Sequence, residues 1–120
     1  MKHFVPQWLS RIASSCSLIF SVAVIALPSH AADEAAQLAL GRNLFTKVSI
    51  PACAICHTLN DAGARGEIGP VLDEIKPDAS RVATALRNGP GNMPSYKATL
   101  SEEQIAALAR YVAMASGAAK

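Results

Sequence analysis

The chain has 120 residues, room for one domain of ordinary size. It carries 11 Lys and Arg against 9 Asp and Glu, yet Lys2 and Arg11 lie in a stretch, residues 1–31, that has no acidic residue. From Ala32 onward nine basic and nine acidic residues cancel, which argues against a nucleic-acid binder, whose basic excess would sit in the folded part.

Residues 1–31 read as a signal peptide that is cleaved on export. Lys2 and Arg11 supply its positive start, Leu18 to Leu27 an apolar core, Pro28 a break, and Ser29-His30-Ala31 the small residues that a signal peptidase favours. Cleavage is expected after Ala31, with Ala32 as the next choice. The alternative, an uncleaved anchor, suffers because the densely apolar part is short for a bilayer. Removing 31 residues leaves 89, the domain 32–120, with His57 as its only histidine and Cys53 and Cys56 as its only cysteines; Cys16 leaves with the signal. Those 89 residues hold only 18 Leu, Ile, Val and Phe, so the core is undersized and something besides side chains is needed to fill it.

In chain order, Asp33 can cap a helix through about Thr46, with Leu38, Gly41, Phe45 and Val48 at three- and four-residue spacing. Ser49–Pro77 is rich in Gly and Pro and is expected to be mostly turns, with a short helical turn over Val71–Ile75. Asp78 opens a second helix through about Asn88, stopped by Gly89 and striped by Val82, Ala85 and Leu86. Residues 89–94 are irregular. Ser101 and Gln104 make a capping box for the last helix, Leu100 can staple onto Ile105, and Gly117 ends it. No strand signal is present. The fold class is all-α.

Cys53-Ala54-Ile55-Cys56-His57 is the c-type haem attachment pattern. Two thiols on one helical turn can each add to a haem vinyl group, and the next residue aims its imidazole at the iron from the same side. A thioredoxin-like pair would want a βαβ unit, a structural zinc site would want four ligands, and a plain disulfide would leave the adjacent histidine unexplained. With one histidine in the domain, ligation by two histidines is excluded, leaving methionine, a weaker group or nothing as sixth ligand. Met114 falls off the face set by Ile105, Leu108, Val112 and Ala115 and is expected at the surface. Met93, in a loop between Gly91 and Pro94, is the expected ligand.

These features together resemble a class I c-type cytochrome over nearly all of residues 36–116. The resemblance implies a small fold of about three to five helices around one covalent haem c. It places Gly41 and Phe45 of the first helix against Leu108 and Tyr111 of the last, where those two helices cross. It implies that the carbonyl of Pro70 accepts a bond from His57, that Cys53 and Cys56 attach the haem, and that His57 and Met93 are its metal ligands. The segments Gly69-Pro70-Val71-Leu72-Asp73-Glu74, Lys76-Pro77-Asp78 and Met93-Pro94-Ser95-Tyr96 are similar to the small haem subunits or partners of periplasmic sulfite dehydrogenases. A His–Met iron has no open coordination position, so the expected work is one-electron transfer in the periplasm. The donor would be a dehydrogenase, with a molybdenum-containing sulfite dehydrogenase subunit as the narrow reading, and the acceptor a downstream cytochrome or oxidase. No nucleic acid and no lasting membrane insertion are expected. Arg65, Arg81 and Arg87 are alternatives for pairing with the haem propionates. Tyr96 could bond a propionate or pack on the ring, and Ala52, Ala54, Ile55 and the Met93 loop could rim a docking patch. The competing reading is a small haem peroxidase or gas-binding protein with a labile sixth ligand.

Overall fold

The computed structural model describes residues 29–119; the expected targeting segment lies outside the described residues save for its last three positions. Helix α1 spans Ser29–Asn43, so the expected cleavage point falls in its first turn. The helix begins before Asp33 and not after it as expected, because Ala31, Ala32, Ala35 and Ala36 are strong helix formers and nothing there breaks the run. At its far end the backbone widens into a π-helical turn, Leu44–Val48, where α-helix was expected as far as Thr46. The Thr46 hydroxyl donates to the Arg42 carbonyl (2.9 Å), a local bond that competes with the regular ladder. The widened turn lets the consecutive residues Leu44 and Phe45 both enter the core.

The remaining elements are short until the last. One-turn helix α2 (Cys53–Cys56) precedes a two-stranded antiparallel pair, β1 (Thr58–Leu59) and β2 (Ala64–Arg65), in which Thr58 faces Arg65 and Leu59 faces Ala64. These strands correct the expectation of none: two residues each are too few for an alternating pattern to register. Helix α3 (Leu72–Ile75) takes up most of the short turn expected there. Helix α4 (Ala79–Asn88) starts at Asp78, whose Oδ1 accepts from the Arg81 N–H (2.8 Å), and stops at Gly89. Helix α5 (Glu102–Ala115) carries the expected capping box, with Ser101 and Gln104 bonded both ways. Its end at Gly117 is a Schellman motif, in which Ala118 N–H reaches the Ala113 carbonyl (2.9 Å) and Gly117 N–H that of Met114 (3.1 Å).

Helix α5 is the spine, burying Ile105, Ala107, Leu108, Ala109, Tyr111, Val112 and Ala113 against α1 and α4. Where α1 crosses it, a Cβ on Gly41 would strike the Ala107 carbonyl oxygen and lie 2.5 Å from Tyr111 Cβ, so only glycine permits this approach. Phe45 meets the Tyr111 ring edge-on, centroids 6.1 Å apart. The Tyr111 hydroxyl donates to Asp61 (2.6 Å) and Arg42 donates to the Asp61 carbonyl (3.0 Å), so both crossing helices hold the turn between β1 and β2.

Candidate functional site

One cavity of about 490 Å³ opens between α2, α4, α5 and the loop that follows α4. Its lining includes Cys53, Cys56 and His57 from the attachment pattern, and Met93 from the loop. Phe45, Leu72, Val82, Leu86, Leu108 and Val112 give it apolar walls. The structure thus brings all four residues expected at the site to a single cavity. Met114 lines a separate hollow of about 200 Å³ with Glu34, Asp78 and Arg110, so it does not compete with Met93; it is half-buried there, not fully on the surface.

The attachment segment is shaped by its own backbone. After extended Ala52, one helical turn closes with the His57 N–H donating to the Cys53 carbonyl (2.9 Å), which puts both cysteines and the histidine beside the same cavity. The chain then folds back on itself: Gly66 N–H reaches the His57 carbonyl (3.3 Å) and Gly69 N–H the Cys56 carbonyl (2.7 Å). His57 Nδ1 lies 2.9 Å from the Pro70 carbonyl, which can only accept, so Nδ1 bears the hydrogen. Nε2 is therefore left with a lone pair suited to a metal. Gly69 packs under the ring so closely that a Cβ there would lie 2.5 Å from His57 Cε1 and 2.8 Å from Nδ1.

The loop that carries Met93 hangs on Tyr96. Its ring is buried at the cavity and its hydroxyl donates to the Pro51 carbonyl (2.7 Å), tying the Met93 loop to the segment just ahead of Cys53. Burial pushes the Tyr96 hydroxyl up to about 12, so it stays a donor. Of the two roles open to Tyr96 in the sequence, packing is the one this geometry serves. Tyr96 N–H also bonds the Leu86 carbonyl (2.7 Å) and the Ser95 hydroxyl the Arg87 carbonyl (2.6 Å), so the loop is fastened to α4. The Tyr96–Pro51 clasp was not legible beforehand, since neither residue signals the other across 45 positions.

The surroundings of Cys53 disfavour a redox thiol. Burial pushes the Cys53 thiol up to about 11. A redox thiol needs the opposite shift, toward the thiolate. Cys53 and Cys56 are not joined in a disulfide, and among the described residues no group of three His, Cys, Asp or Glu side chains could hold a bare metal ion. What remains fits a large flat apolar group: two thiols and an imidazole on one wall, a thioether on another, and hydrocarbon between.

Residues 36–112 match the family model described as cytochrome C oxidase, cbb3-type, subunit III. The chain belongs to that family of c-type cytochromes. It is similar to the chloroplastic cytochrome c6 of Chlamydomonas reinhardtii, 30% identical over 106 residues; the match covers 80% of this chain and 66% of that relative, a little under two thirds of its length. It is also similar to the crystal structure of the c-type cytochrome SorU from Sinorhizobium meliloti, with 54% identity and a TM-score of 0.67 over 69% of this chain and 94% of that one. The expectation of a small class I cytochrome fold, mostly helical with crossed terminal helices, therefore holds. The two relatives are themselves cytochromes of the c type. No described helix is long and apolar enough to cross a membrane.

Proposed function

We propose that this cytochrome carries single electrons in the periplasm on one haem c, attached through Cys53 and Cys56 and held axially by His57 and Met93. On this reading residues 1–31 are removed on export and residues 32–120 form the working domain. The observation that carries it is the placing of His57, with Nε2 free, and Met93 on one apolar cavity whose rim also presents both cysteines. A haem bound there supplies one reversible change between ferric and ferrous iron.

The chain's own residues do the rest. The Pro70 carbonyl fixes the His57 tautomer and ring orientation and strengthens its donation, a role typical of groups bonded to metal-bound histidines. Tyr96 and Ser95 hold the Met93 loop in place, and a thioether ligand favours the reduced metal. Phe45, Leu86, Leu108 and Val112 would surround the haem with hydrocarbon, which raises the potential further. Ile55, expected in the docking patch with Ala52, Ala54 and the Met93 loop, stands 60% exposed in the attachment turn, and Ile68 on the cavity lining, 74% exposed, extends that patch. Such a patch suits brief encounters with redox partners.

The narrower reading names the donor as a periplasmic dehydrogenase, specifically a molybdenum-containing sulfite dehydrogenase subunit, and the acceptor as a downstream cytochrome or oxidase. It rests on the resemblance of the Gly69–Glu74 and Met93–Tyr96 segments and is compatible with 54% identity to SorU.

Denaturing mass spectrometry of the exported protein should give a chain beginning at Ala32 with the mass of one haem added. The oxidised protein should show the weak red absorption band of iron bound to a thioether, and Met93→Ala should abolish it. A chain without added mass sinks the haem reading. A high-spin protein that binds small ligands rapidly would favour the peroxidase or gas-binding alternative instead.

A further inference from the structure

We infer that Arg81 is the counter-charge for the carboxylate side groups of the haem, an assignment that rests on the haem-binding reading above. The sequence leaves Arg65, Arg81 and Arg87 on an equal footing, and the structure separates them. The Arg87 guanidinium is committed to Glu102 (2.6 Å), and that of Arg65 donates to the Asn60 side chain. Neither residue lines the cavity. Arg81 does, and it is the one Lys, Arg, Asp or Glu in the lining.

Among the described residues the Arg81 guanidinium makes no ion pair and no hydrogen bond. The neighbouring carboxylate, Asp78, is occupied otherwise: its Oδ1 accepts from the Arg81 backbone N–H (2.8 Å) and from the Ser80 hydroxyl (2.7 Å). Helix geometry explains the reach. Arg81, Val82, Ala85 and Leu86 all line the cavity, the i, i+1, i+4, i+5 face of α4. Leu86 at the far end of that face is fully buried, whereas Arg81 in the first turn is exposed, so the face runs from rim to floor. Ala85, one turn on, is small and leaves space beside the Arg81 stem.

The chemistry of the ligand then decides the role. The two carboxylates of a haem leave the ring from an edge other than the vinyl groups, so the Cys53 and Cys56 attachment cannot also satisfy them. A carboxylate at the mouth of an apolar cavity loses part of its hydration, and a guanidinium replaces it with a charge-assisted pair of hydrogen bonds. Arg81 is the cavity's one group able to do so at neutral pH. By cancelling negative charge close to the iron, it favours the ferrous form.

The test is the midpoint potential of the haem-loaded protein, compared among the parent, Arg81→Gln, Arg81→Lys and Arg65→Gln at low and high ionic strength. Arg81→Gln should lower the potential at low salt, and the shift should shrink as salt screens the bare carboxylate. Arg81→Lys should recover most of the parent value, and Arg65→Gln should leave it unmoved. Equal potentials for Arg81→Gln and Arg65→Gln at low salt would overturn the assignment. The bound haem mass and the red thioether band, recorded on the same samples, report separately on attachment and on the His57–Met93 ligation. A parent lacking the band would overturn the ligation while the potentials still decide the role of Arg81.

Discussion

Gly69 is the residue at which one added methyl group would most disturb the site. Its Cβ would lie 2.5 to 3.0 Å from three atoms of the His57 ring, and the ring cannot retreat without stretching its bond to the Pro70 carbonyl. We expect Gly69→Ala to cost about 1–3 kcal/mol, the usual range for overpacking a tight contact, seen as a lowered urea midpoint with an unchanged slope. In molecules that retain haem, a weaker Nδ1–H···O=C bond makes His57 a poorer donor to ferric iron, so the midpoint potential should rise. A variant with parental stability and potential would show that the ring has room to move. Spacing and elimination in the sequence single out the attachment pattern and Met93, and the structure puts these four residues on one cavity. The use of Gly69 was not legible, since the resemblance gives a role to the Pro70 carbonyl and none to the glycine before it.

At the scale of elements, legibility followed the range of the interactions. Asp78 and the Ser101–Gln104 box are local signals and mark α4 and α5 as expected. The π-helical turn, the two-residue strands and the early start of α1 depend on packing or on alanine-rich context that no capping residue announces. The crossing of α1 and α5 gives a prediction whose sign is diagnostic. In a free helix Gly41→Ala would stabilise by about 1 kcal/mol. Here the new Cβ meets the Ala107 carbonyl and Tyr111 Cβ, so we expect net destabilisation of about 1–3 kcal/mol by urea unfolding. A more stable variant would refute the close crossing. Helix α4 gives a pH prediction. Hydrogen bonds from the Ser80 hydroxyl, and then from the Arg81 N–H, hold the Asp78 carboxyl below its ordinary value of 3.8. Because the folded value is the lower one, the cap's ionic contribution is complete above 3.8 and fades as pH falls through the folded value. Asp78→Asn keeps a capping oxygen that does not titrate. The stability gap between parent and variant should therefore be constant at neutral pH and change only in the acid range, a contrast that urea midpoints across pH will show.

The whole molecule returns to its shortage of core. Of the 18 Leu, Ile, Val and Phe after Ala31, six (Leu40, Val48, Ile50, Ile55, Ile68 and Ile75) are exposed, so a third of a scarce resource is not in the core at all. The buried aliphatics instead surround a cavity of about 490 Å³. That cavity is open at its rim, and while unfilled it leaves its apolar walls facing water, a loss of the burial that folding depends on. On the haem reading, the group that fills the cavity covers these walls and acts as part of the core. It follows that His57→Ala, or Cys53→Ala with Cys56→Ala, should leave an exported chain that is largely unfolded, not a folded protein lacking only its redox activity. Far-UV circular dichroism should show little helix, and urea should produce no cooperative transition. The Gly41 crossing alone would not rescue the fold, because the π-helical turn after α1 and helix α5 also turn Phe45, Leu108 and Val112 toward the same cavity. A helical apoprotein that unfolds cooperatively at room temperature would mean that the terminal helices collapse into a core of their own, and that the cofactor is a passenger in this fold and not its centre.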